Sequence, residues 1–115
     1  MASFAHDQLQ FCDSHGYVCH VVEEGEIVGG AVSTLEEIPI NGLRHSPENG
    51  TSGWYIWCGE KSSDADDFYQ PLCAEHLVEH LPTIKPLLGL PPGYRFLTDS
   101  NYLDIWYDPT LLAEG

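Results

Sequence analysis

Trp54-Tyr55-Ile56-Trp57-Cys58 is the stretch on which the fold turns. Aromatic and β-branched residues at this density favour a pleated strand. Alternation then puts Trp54, Ile56 and Cys58 on one face, with Tyr55 and Trp57 on the other. A strand with tryptophan on both faces cannot bury them all unless both faces are covered. One face is therefore core, and the other is packed under a helix or presented to a partner.

Downstream, Glu60-Lys-Ser-Ser-Asp-Ala-Asp-Asp67 reads as an acidic loop. Pro71 stands near the start of a helical stretch, Leu72–Leu81, in which Cys73, Leu77 and Leu81 recur at i, i+4 and i+8. Pro82 and Pro86 limit that helix, and Thr83–Leu88 reads as a second short turn of helix. Leu90-Pro-Pro-Gly93 is a rigid turn. Tyr94–Thr98 and Leu103–Tyr107 then form two strands about the polar turn Asp99-Ser-Asn101.

Upstream, Tyr17–Glu24 and Glu26–Ser33 read as two strands, and the short Glu24-Gly25 connection predicts a hairpin. Residues 34–53 are dense in turn formers and read as a long surface connection. The predicted architecture is α+β, a small, mostly antiparallel sheet with one or two helices packed on it. Residues 1–16 form a lead-in segment with a short helix around Ala5–Phe11, and residues 17–115 form the single domain.

The length of 115 residues supports one modest core and excludes a large two-domain enzyme. Eighteen Asp and Glu against four Lys and Arg give a formal net charge of -14. Such a chain repels phosphate, which argues against nucleic acid and anionic membrane as partners. Basic protein surfaces and cations are its complement. The first residues show neither a basic region nor an apolar run, and no window has the length of a membrane span; the expected location is cytoplasmic. Cys12, Cys19, Cys58 and Cys73 are then expected as thiols.

Several patterns invite a chemical reading. His76-Leu-Val-Glu-His80 matches H-x-x-E-H, which on a helix sets two imidazoles one turn apart for zinc, with Glu79 as base. Only 35 residues follow His80, too few for the proteases that use this motif, so the competing reading is a polar helix face. Cys12, His15, Cys19, His20 and Cys73 add zinc-ligand chemistry at short spacing. Cys19 and His20 are adjacent, however, and would point to opposite faces of a strand. Asp64, Asp66 and Glu75 fit positions 1, 3 and 12 of a calcium loop, but Tyr69 stands where that loop needs glycine. No serine has a nucleophile-elbow context and no glycine loop suits a phosphate. The sequence therefore assigns no catalytic residue and no cofactor.

Ser52-Gly-Trp-Tyr-Ile-Trp-Cys-Gly-Glu60, followed by an Asp-rich loop, resembles the immunity protein 33 family. Val18–Gly29 is similar to that family's opening hairpin, and Pro82–Leu90 before a Pro-Gly turn to its helix and connection. Tyr94–Phe96 and Asp104–Trp106 resemble its closing strands. The resemblance spans about residues 17–108. Leu35–Asn49 is longer and less acidic than the family pattern, and Phe68–Cys73 is less polar. The resemblance implies a non-enzymatic protein that neutralises a bacterial polymorphic toxin, as in systems served by type VI secretion. It also implies a cognate protein partner, a nuclease or another basic effector.

The residues expected to meet that partner are Glu60, Asp64, Asp66 and Asp67, with Trp57 and Tyr69 as aromatic anchors. Two other functions compete. One is a small structural zinc protein using His76, His80 and cysteines such as Cys73. The other is an acidic interaction module unrelated to toxins. Unpaired strand edges allow either a monomer or a homodimer.

Overall fold

In a computed structural model, which describes residues 4–47, 51–59, 68–99 and 101–112, Thr51–Cys58 forms a central strand. In chain order the elements are α1 (His6–His15), β1 (Ile27–Gly30), β2 (Ile40–Arg44), β3 (Thr51–Cys58), β4 (Gln70–Cys73), α2 (Ala74–His80), a 3-10 segment (Pro82–Gly89), β5 (Tyr94–Asp99) and β6 (Tyr102–Tyr107). The six strands form one sheet in the order β4-β1-β3-β2-β5-β6. Only the β1–β3 pairing is parallel among the described residues, so the α+β, mostly antiparallel expectation holds.

Alternation in β3 is as expected. Trp54, Ile56 and Cys58 are buried and join Val28, Phe96, Leu77, Ile84, Leu88 and Leu90 in one core. The sheet contributes to this core from one face. α2 and the 3-10 segment supply the opposing wall, and α1 packs outside the 3-10 segment. Trp54 Nε1 donates to the Leu88 carbonyl at 2.8 Å, which satisfies the indole that the sheet buries.

The expected hairpin about Glu24-Gly25 does not form, and residues 17–23 are not a strand. Their polar groups find other partners. The Gln8 side chain, fully buried, donates to the Val22 carbonyl and accepts from the Val22 N–H, both at 2.8 Å. His20 N–H donates to Gly89, and the His20 carbonyl accepts from Arg44. Two side chains, Gln8 and Arg44, and the Gly89 carbonyl thus replace the ladder a hairpin would supply. Both sides of β1 are occupied instead by β3 and β4.

Residues 34–53 also differ from the expected loop, since they contain β2, which lies between β3 and β5. Asn41-Gly42 reads as a turn, but Gly42 serves packing. A Cβ there would collide with the Phe96 ring and with Ile56. Pro71 lies in β4 rather than in a helix, and α2 starts only at Ala74, with Cys73 flanking it. As an edge strand, β4 tolerates a residue that cannot donate to a ladder. The turn of helix expected over Thr83–Leu88 and the final pair of strands are present.

Arg44, on the core side of β2, is only 3% exposed. Its guanidinium donates to four carbonyls: Ser52 at 2.9 Å, His20 at 2.8 Å, Leu88 at 3.1 Å and Leu90 at 2.8 Å. It also lies 5.7 Å from the Trp54 ring centroid. One side chain therefore pins the segment before β1 and the end of the 3-10 segment to the sheet. Burial lowers its pKa to about 10 from an ordinary 12.5, partly opposed by the charge of Glu26.

Candidate partner-binding face

The face of the sheet turned away from the core is set by register. Tyr55 pairs with Leu43, Leu43 with Arg95, and Arg95 with Trp106. These four residues form one row across β3, β2, β5 and β6. The next row contains Trp57, Asn41, Leu97 and Asp104. The face is therefore aromatic at both ends, over β3 and over β6.

At the β3 end, Tyr69 is the hub. Its ring meets Tyr55 edge-on at 5.1 Å, Trp57 at 6.4 Å and Phe68 at 4.9 Å. Burial raises the Tyr69 hydroxyl pKa, with the neighbouring Tyr55 hydroxyl adding to it, so the phenol stays neutral. Gly29 makes this approach possible, because a Cβ there would meet Tyr55 Cδ1 at 2.8 Å. Tyr55, Tyr69, Gly29 and Pro71 line part of a shallow pocket of about 190 Å³. The His45 ring also meets Tyr55 edge-on at 5.4 Å.

At the β6 end, the Arg95 guanidinium lies 5.5 Å from the Trp106 ring centroid and pairs with Asp108 at 3.2 Å. The Thr110 hydroxyl donates to the same carboxylate. Together, Thr110 first and Arg95 next, they hold Asp108 below its usual pKa.

The structure brings into contact Trp57 and Tyr69, the two residues named from the sequence as aromatic anchors. Trp57 is 8% exposed and Tyr69 half-buried, whereas Tyr55 is 37% exposed. Glu60, Asp64, Asp66 and Asp67 lie outside the described residues. In the sequence they lie between Gly59 and Phe68. Tyr55 and Trp106 were legible as aromatics, but their place in one row depends on β2, which the sequence hid.

His76 and His80 lie on the exposed side of α2 with ring centroids 5.3 Å apart, and Cys73 stands at its start. Among the described residues no three His, Cys, Asp or Glu side chains are grouped to hold a metal. The four cysteines are free thiols, as expected. Cys12 is pushed up to about 12, by burial first and by Cys19 next, and Cys58 to about 11 by burial and the Glu37 charge. No described helix is long and apolar enough to cross a membrane.

The described cations are all engaged. Arg44 is buried on carbonyls, Arg95 pairs with Asp108, and Lys85 pairs with Asp7 at 3.6 Å. Little positive charge is left to offset the acidic surface. Fold and face together define a small α+β domain whose distinguishing surface is an aromatic sheet face in an acidic chain. The chain belongs to the Imm33-like domain family, whose model matches residues 7–108. The comparisons with curated proteins and with solved structures give no match. The family name is that of immunity proteins, which implies a protein partner.

Proposed function

We propose that this chain is a non-enzymatic, cytoplasmic immunity protein that binds a cognate bacterial toxin and blocks it. The aromatic sheet face is the contact surface. Tyr55 and Tyr69 supply rigid area, and the acidic segment Glu60–Asp67 supplies the charge that attracts a basic toxin. The observation that supports this most is the Tyr55–Trp57–Tyr69 cluster, whose Trp57 and Tyr69 flank that acidic segment in the sequence. Aromatic anchors with a polar rim are the usual makeup of a binding hot spot. A nuclease toxin suits the reading, since proteins that grip phosphate carry basic surfaces. Membership of the Imm33-like family supports the same conclusion.

The test is co-expression with the product of the neighbouring toxin gene, scored for survival and for a purified complex. Changing Asp64, Asp66 and Asp67 to lysine is expected to slow association about tenfold or more and to flatten its salt dependence. Unchanged binding and protection would discard this surface. Failure of the wild-type chain to protect or to bind would discard the immunity reading.

A further inference from the structure

The two edges of the sheet are built differently. β4 is a short edge of four residues, blunted by Pro71. β6 is a six-residue edge, Tyr102-Leu-Asp-Ile-Trp-Tyr107, with neither proline nor lysine. It pairs with β5 on one side and, among the described residues, with no strand on the other. Proteins usually guard such an edge with proline, lysine or a bulge. Here it is apolar on both faces: Tyr102 is 53% exposed, Leu103 45%, Trp106 38% and Tyr107 51%.

Register identifies the backbone groups left over. Asp108 N–H donates to the Gly93 carbonyl. Bonded pairs alternate along an antiparallel ladder, so Arg95/Trp106, Leu97/Asp104 and Asp99/Tyr102 are the bonded ones. The N–H and C=O groups of Leu103, Ile105 and Tyr107 therefore point away from the sheet. They form a ladder half ready for one more strand.

Charge decides which strand. A second copy would bring another net charge of -14 against this edge, which already bears Asp104 and lies beside Asp99. Arg95, beside this edge against Trp106, is already paired with Asp108, and Arg44 and Lys85 are engaged elsewhere, so none of them relieves that repulsion. A strand carrying lysine or arginine between apolar residues meets both the acid and the exposed aromatics. Trp106 lies in the same row as Tyr55, so such a strand would extend the aromatic face rather than open a separate site.

We propose that β6 takes up an extended basic segment of the partner protein as a seventh strand. This rests on the immunity reading and names its binding mode. The probe is the toxin domain encoded next to this chain, purified in an inactive form, with the full-length immunity chain. Amide exchange on the wild-type complex is expected to slow at Leu103, Ile105 and Tyr107. Leu103→Pro removes one outward donor and is expected to weaken binding about tenfold. Leu103→Lys, which keeps the donor but adds a charge that repels a basic strand, is expected to weaken it and to make the affinity less salt-sensitive.

If the complex forms but those three amides exchange as in the free protein, the edge is not the docking strand, while the immunity reading stands. If the free protein protects the same amides as its concentration rises and sediments as a dimer, a second copy is the occupant and the proposal is overturned. If no complex forms, the proposal falls with the reading beneath it. The exchange measurement needs no variant, so the outcome does not depend on Leu103→Pro folding.

Discussion

Replacing Arg44 with alanine removes a charged side chain that four carbonyls share. Each hydrogen bond to a charged group contributes about 1.5–3 kcal/mol; Nε makes one and Nη1 shares two protons among three carbonyls, so the set counts as about three bonds, roughly 4.5–9 kcal/mol. Against this stands the burial of the charge, which has moved the pKa from 12.5 to about 10. At about 1.4 kcal/mol per pKa unit, that burial costs on the order of 3 kcal/mol, which the alanine variant recovers. The Leu88 carbonyl keeps the Trp54 indole as a donor, so it is not orphaned. The net expected loss is about 2–6 kcal/mol, a range that spans the usual cost of removing one partner from a buried charged cluster. A domain of this size has about 5–15 kcal/mol in all, so Arg44→Ala should remove a large share of its stability. Arg44→Lys keeps the charge but cannot span four carbonyls, and it should fall between the two. Urea unfolding followed by tryptophan fluorescence measures this directly. If the alanine variant lost less than about 1 kcal/mol at an unchanged m-value, the bonds would be compensated and the reasoning refuted.

Other predictions follow from the thiols and from Asp108. In the native protein Cys12 and Cys58 should resist alkylation at pH 8, because burial keeps both as thiols, while all four cysteines should react in urea; mass mapping of the labelled sites checks this. Asp108 titrates below its ordinary value in the fold. Its stabilising effect is therefore complete above the unfolded carboxylate pKa and is lost as the pH falls through the folded one. Asp108→Asn should flatten that part of the acid unfolding curve, as seen in melting temperatures between pH 2 and pH 6.

β3, β5, β6 and the buried face of α2 were legible because each carries a period in sequence. β2 was not. Its Asn41-Gly42 is a strong turn signal, and the reason for Gly42 is a ring 54 positions away in sequence, Phe96. The segment 17–23 failed in the opposite sense. It has strand composition, but Gln8 satisfies the backbone of Val22 from a helix. Local pattern cannot report a hydrogen bond that arrives from another element. For the same reason Trp57 and Tyr69 could be named as aromatic, but not as neighbours, before β4 was seen to lie beside β1. Arg44 carried no local signal, since one arginine among turn formers reads as surface.

The strand order has a consequence for synthesis. β1 and β2 are made first, yet they are not neighbours, for β3 sits between them. While the ribosome is still short of residue 51, β1 has no partner and no sheet can begin. At about 5–20 residues per second, that interval lasts a few seconds at most. When it ends, β3 joins β1 to β2 as the centre of the sheet, and β4, β5 and β6 add to the two sides only as they are made.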